Sequence, residues 1–139
     1  MSVVLPDVGE AYALNRLLKG TNNGNDYTLK LYTAVSGGAI DDDTVAGDFT
    51  EATFPGYVAK TLTPAGWGNA ATAVGVTSST YSAAQTFTRS STGAVEAILG
   101  YYIIDATTGV LFYAEAFTAT ANMTNSGDSI TVTPKVQLA

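Results

Sequence analysis

The chain has 139 residues, of which 46% are hydrophobic and only 13% charged, with no cysteine, no histidine and a formal net charge of −6. A chain of this length buries a core without disulfides or a structural metal. The missing Cys and His remove disulfide frameworks, thiol nucleophiles, Ser-His-Asp and Cys-His arrangements, and the most frequent zinc ligands.

The N-terminal stretch Pro6-Asp7-Val8-Gly9-Glu10 leads into Ala11-Tyr-Ala-Leu-Asn-Arg-Leu-Leu-Lys19-Gly20. Asp7 and Glu10 have the spacing of a capping box, Lys19 complements the C-terminal end of the dipole, and Gly20 is placed for a left-handed stop. The pattern predicts an amphipathic helix over 7–19. Its apolar stripe runs through Ala11, Leu14, Leu17 and Leu18. About three turns are unstable alone, so the stripe must bury, either on its own domain or on a neighbouring subunit. Val8, Ala11, Leu14 and Leu18 are therefore candidate interface residues.

After a polar turn at Thr21–Asp26, Tyr27-Thr-Leu-Lys-Leu-Tyr-Thr33 alternates, with Tyr27, Leu29 and Leu31 expected inward and Thr28, Lys30 and Tyr32 outward. Val35 to Pro55 reads as a long loop carrying the run Asp41-Asp42-Asp43. Three carboxylates suit Ca²⁺, but the spacing of a calcium loop and its closing Glu are missing. A solvated acidic loop is expected, and these aspartates are candidate contact residues.

Gly56–Thr63 reads as a second strand. Trp67, between Gly66 and Gly68, is expected either to plug the core or to serve as a stacking platform for a sugar. Val74 and Val76 suggest a short strand, and Tyr81–Arg89 another, with Phe87 inward. Gly93 to Phe117 reads as a long central hairpin, two β-branched and aromatic runs about the turn Ala106-Thr-Thr-Gly109. Its second arm places Val110, Phe112, Ala114 and Ala116 on one face and Leu111, Tyr113, Glu115 and Phe117 on the other. With neither face fully polar, the hairpin is expected to be covered on most of both sides. Thr118–Asp128 reads as a polar loop. Ser129–Leu138 is the last strand, at a sheet edge or bulged because Pro134 cannot donate to a ladder. Val132, Val136 and Leu138 are candidate interface residues there, since an edge strand with few charges is a template for pairing.

The pattern predicts a single domain over 1–139: an all-β antiparallel β-sandwich or jelly roll over 25–139, with one short N-terminal helix over 7–19. Glu96 and Glu115, one in each arm of the hairpin, are the carboxylates placed to form a glycosidase pair. With no aromatic-rich cleft sequence beside them they read as outward-facing strand residues, and no catalysis, cofactor or metal is expected. Arg16, Lys19, Lys30, Lys60, Arg89 and Lys135 are scattered along the chain. Nucleic acid and anionic membrane are therefore not expected partners. No stretch approaches the ~20 apolar residues of a membrane span, and Met1–Asp7 lacks the features of a signal peptide, so synthesis in a cytoplasm is expected.

Three stretches together resemble small virion proteins of tailed bacteriophages, including capsid proteins of the cement or decoration type. They are Leu5-Pro-Asp-Val-Gly-Glu10 with Leu14–Leu18, then Leu29–Tyr32 with Phe49–Tyr57 and Lys60–Thr63, and finally Ser126–Pro134. They follow one another through most of the chain. The resemblance implies a non-enzymatic part of the virion on the outer capsid surface, made in the host cytoplasm. Its implied partners are the major capsid protein and copies of itself, commonly as a homotrimer. A tail, baseplate or head-fibre component is the alternative within the same class. From a different class comes a carbohydrate-binding module stacking its ligand on Trp67 with Tyr57, Tyr101 or Tyr102.

Overall fold

Strand β1 (Tyr27–Val35) is the spine of the larger of two units into which the chain divides. The computed structural model describes residues 13–15, 17–19 and 26–138, and over these the fold is all-β, built from antiparallel sheets with one short helix. The larger unit comprises Asp26–Leu62 and Gln85–Val132. In it, β1 pairs on one side with β2 (Phe49–Glu51) and β3 (Lys60–Leu62), and on the other with β7 (Glu96–Asp105), which in turn pairs with β8 (Leu111–Met123). A separate ladder joins β6 (Gln85–Thr88) to β9 (Ser129–Val132).

The smaller unit contains Thr63–Ala84, residues 133–138 and the helical residues 13–15 and 17–19. Its sheet has the order β10 (Lys135–Leu138), β5 (Val76–Thr80), β4 (Ala71–Ala73). Leu14 and Leu18 are buried in this chain, while Leu17, expected in the same stripe, is 40% exposed. Asn15 Oδ1 accepts the Ala70 N–H at 3.0 Å, and the Lys19 ammonium donates to Asn69 Oδ1 at 2.6 Å. The helix is thus tied to its own unit. Asp7, Val8, Glu10, Ala11 and Gly20 of the expected helix lie outside the described residues.

In β1 the alternation holds for Tyr27, Leu29 and Leu31, which are buried. Tyr32, expected outward, is buried as well. It belongs to a second apolar cluster with Phe49 and Tyr102, flanked by Val35, Ile40, Leu99, Ile104, Leu111 and Ala114. The Phe49 and Tyr102 rings stack at 4.4 Å, and Tyr32 meets Phe49 edge-on at 4.9 Å. Phe49 thereby draws β2 into what was expected to be a structureless loop over Val35–Pro55. The expected strand Gly56–Thr63 is confined to Lys60–Leu62. Tyr57 instead closes a turn, its N–H donating to the Phe54 carbonyl.

The hairpin β7–β8 forms with the expected turn. Asp105 Oδ1 accepts the N–H groups of Thr107 and Thr108, both at 2.8 Å, and Gly109 N–H returns to the Asp105 carbonyl. The expected division of faces in its second arm fails at an irregularity. Ile103 faces Tyr113 and Ile104 faces Leu111, so Phe112 is the extra residue of a bulge. Phe112 packs on the Tyr27 ring at 4.8 Å, and Leu111 joins the Tyr32 cluster. The expected cover on most of both sides holds for much of β7 but not for β8, the last strand of its sheet, much of which is exposed. β8 also runs on to Met123 through residues expected to be loop.

The expected last strand is two strands, parted at Thr133-Pro134. Pro134 supplies no N–H, but its carbonyl accepts the Tyr81 N–H at 2.8 Å. β9 on one side of the break belongs to the larger unit, and β10 on the other to the smaller.

Candidate functional site

Four of the ten candidate interface residues turn inward. Leu14, Leu18, Val132 and Val136 are buried within this chain, Leu138 is half-buried, and Val8 and Ala11 are outside the described residues. Asp41, Asp42 and Asp43 are exposed. Asp41 Oδ1 folds back on its own loop, accepting the Asp43 N–H at 3.1 Å and the Thr44 hydroxyl at 2.9 Å.

Trp67 fills the core of the smaller unit. It is 2% exposed, meets Tyr81 edge-on at 5.3 Å, and has no hydrogen-bond partner for Nε1 among the described residues. The Tyr81 hydroxyl accepts the Thr63 N–H at 3.1 Å, and the Ser79 hydroxyl donates to the Gly68 carbonyl at 2.8 Å. No face of Trp67 is open to a sugar, and Tyr101 and Tyr102 are buried too. The indole on which the expected stacking platform was to be built is thus enclosed, while Tyr57, the other aromatic expected beside it, is half-buried.

Glu96 and Glu115 are not brought together. Glu115 faces Tyr101 across the hairpin and accepts its hydroxyl at 2.7 Å. Glu96 accepts the Thr53 N–H at 2.6 Å. The run of β7 from Glu96 to Tyr101 spans roughly 16 Å of strand, beyond the reach across which two carboxylates share one glycosidic bond.

The buried and half-buried polar groups of the larger unit serve its architecture. Glu51 accepts from the Lys30 ammonium at 2.9 Å and from the Tyr57 hydroxyl at 3.0 Å, while the same hydroxyl accepts the Leu31 N–H at 3.1 Å. This pins the Phe54–Tyr57 turn to β1. Burial pushes the Tyr57 phenol well above its ordinary range, and burial with the nearby Glu51 charge pushes Tyr102 up to about 12. Arg89, 4% exposed, donates through Nε to the Ser91 carbonyl and through Nη1 to the Met123 carbonyl, both at 2.7 Å. It closes the loop that follows β8.

The outward side of β8 is nearly uncharged. From Ala106 to Gly127 the one charged residue is Glu115, and within β8 the residues Glu115, Ala116, Thr118, Ala119, Thr120 and Asn122 are exposed. Between Ile98–Ala121 and Gly100–Ala116 the two arms fall out of step, so that Phe117, Thr118, Ala119 and Thr120 stand opposite Leu99 alone. Beside this arch is a groove of about 630 Å³. Tyr32, Ile40 and Leu99 contribute its apolar lining, and Ala114–Thr118 and Thr120 belong to its β8 side. A smaller recess of about 330 Å³ is flanked by Val45 and Val110, which are 58% and 64% exposed. The surface is hard to anticipate from sequence because Thr118–Asn122 looks polar. The Thr-Ala-Thr-Ala alternation was the available sign of a strand.

Such a surface offers backbone hydrogen-bonding groups along a strand edge, together with apolar contact area. No protein-family model matches the chain, and no curated protein matches it.

Proposed function

We propose that the chain is a structural protein of a bacteriophage virion, of the capsid cement or decoration type. In this reading it works without catalysis on the outer capsid surface, through contacts with the major capsid protein and with copies of itself as a homotrimer. The observation that carries the reading is β8. It is the longest strand among the described residues, it lies at the end of its sheet, and it exposes a nearly uncharged edge beside a groove of mixed apolar and polar lining. Soluble proteins that act alone blunt such edges with charge, proline or bulges; β8 is bulged at Phe112 and at Phe117–Thr120, but it carries no proline and no charge beyond Glu115. The resemblance of the sequence to small virion proteins supports the virion setting.

The experiment is co-sedimentation of the purified protein with capsids of the virus that carries its gene. Saturable binding across the shell and slower thermal rupture of decorated capsids are expected. A protein that stays in the supernatant overturns the reading, and a labelled chain confined to one vertex places it in the tail instead.

A further inference from the structure

A groove of about 560 Å³ is lined by β2, the segment that follows it and the approach to β7, all within the larger unit. Arg89 belongs to the lining, as do Glu51, Glu96 and Thr53. Arg89 is 4% exposed, yet no carboxylate stands within ion-pair distance of it among the described residues. Its Nε is committed to the Ser91 carbonyl and its Nη1 to the Met123 carbonyl. Nη2 has no hydrogen-bond partner among the described residues. It is not sealed off either, since Trp67 Nε1 is the one enclosed side-chain atom among them that lacks a partner. Gly93 keeps Nη2 open, for a Cβ on this exposed residue would stand 2.7 Å from it. A cation that is costly to bury is thus fixed by two carbonyls and left with donors to spare in the wall of a groove.

We propose that this groove binds a sugar, a neutral polyol whose adjacent hydroxyls meet Arg89 Nη2 and the Glu96 carboxylate. The charges of the lining argue for a neutral ligand, because Glu51 and Glu96 repel an anion and Arg89 repels a cation. A guanidinium only donates and a carboxylate only accepts, whereas a sugar ring carries neighbouring hydroxyls that do both. Lone pairs remain for it. Glu96 Oε1 accepts the Thr53 N–H at 2.6 Å, but Oε2 has only a long contact of 3.4 Å with the Thr53 hydroxyl. Glu51 is held by Lys30 at one oxygen and Tyr57 at the other. Each polar group is therefore positioned before a ligand arrives, which lowers the ordering cost of binding. Pro55 and Val95, both exposed, supply apolar surface for the C–H face of a ring. The volume is that of a small-molecule pocket. The site goes beyond the capsid reading without depending on it, and it makes no use of the enclosed Trp67.

The probe is an array of defined neutral oligosaccharides ending in hexose, deoxyhexose or N-acetylhexosamine, printed beside sialylated and phosphorylated glycans. The neutral glycan retained best is then titrated in solution, together with its terminal monosaccharide and with free glycine. Binding of that glycan with Kd at or below about 1 mM is expected. Shift changes in proton–nitrogen NMR spectra should centre on the Arg89 Nε–H and the Thr53 N–H. Gly93→Ala covers Nη2 at a position without positive φ, and Glu96→Gln keeps the shape while removing the charge. Each is expected to weaken binding more than about tenfold, while Trp67→Phe binds as the wild type does. A monosaccharide that binds as well as its parent supports a site for free sugar, and one that binds far more weakly supports a site for a glycan chain. No retention of any neutral glycan, a preference for anionic glycans or glycine, or binding that both groove variants leave unchanged overturns the sugar site. Those results leave the capsid reading standing, since co-sedimentation alone decides it.

Discussion

The Tyr32 ring lies across Gly100 on the neighbouring strand. A Cβ built at Gly100 would fall 2.7 Å from the Tyr32 hydroxyl oxygen and 2.8 Å from ring carbon Cε1, with the Glu115 carbonyl crowding the same position. β1 and β7 pair at this point, Tyr32 directly opposite Gly100, so the aromatic cluster depends on the missing side chain. Gly100→Ala is expected to destabilise the fold by about 1–3 kcal/mol, the usual cost of overpacking a filled site. Chemical denaturation with an unchanged slope and a lowered midpoint checks this; wild-type stability would show that the ring moves aside freely.

The buried phenols set the alkaline limit of stability. Tyr102 has an ordinary pKa of 10.0, raised to about 12 in the fold by burial and by Glu51, and Tyr57 is raised as well. A raised folded pKa means that the folded state holds its proton while the unfolded chain ionises. The contribution is therefore complete below pH 10 and is lost as pH rises from 10 toward 12. Tm should fall across that window, with a shallower fall in Tyr102→Phe. Coincident profiles for the two proteins would remove Tyr102 from the account.

Acid acts through a different residue. The Asp128 carboxylate accepts the N–H groups of Asn125 at 2.7 Å and Thr124 at 2.8 Å, and these bonds, the Asn125 bond foremost, hold its pKa below the ordinary 3.8. A depressed folded pKa gives stability that is present above the unfolded value and lost as pH falls through the folded one. Asp128→Asn should flatten the decline in Tm below about pH 4, measured beside the wild type in the same buffers. An equally steep decline in the variant would assign acid sensitivity elsewhere.

Trp67 reports on the core of the smaller unit. As the sole tryptophan, buried and without a partner for Nε1 among the described residues, it should emit at short wavelength and resist quenching by iodide. Trp67→Phe discards an unpaired donor and keeps most of the apolar bulk, so it should cost much less than the ~3–5 kcal/mol typical of Trp→Ala. A red-shifted, readily quenched emission would mean that the indole is accessible after all.

The sequence was most legible where one face of a strand is wet and the other dry. Tyr27, Leu29 and Leu31 alternate with Thr28 and Lys30, and the turn at Asp105–Gly109 carries its own hydrogen-bonding side chain. Legibility failed where neighbouring strands and a loop cover the far face. Tyr32 looks outward by alternation, yet Phe49 and Ile40 come from a segment with no strand signal of its own to enclose it. It failed again where bulges shift the phase, at Phe112 and at Phe117–Thr120, because an extra residue reverses every subsequent expectation. The Val74-Gly75 turn that joins β4 to β5, with both φ values positive, lacks the Asn-Gly signature by which such turns are recognised, so the hairpin tip was invisible as a feature.

Pro134 has one further implication, for the order in which this polypeptide folds. Everything the larger unit needs has left the ribosome once Val132 is out, whereas β10, which pairs with β5 more than fifty positions earlier, still follows. Domains tend to fold as units during synthesis, so the smaller unit, stitched from distant segments, is the last to close. A stop codon at Lys135 should therefore leave a nascent chain with one half complete and the partner strand of β5 missing.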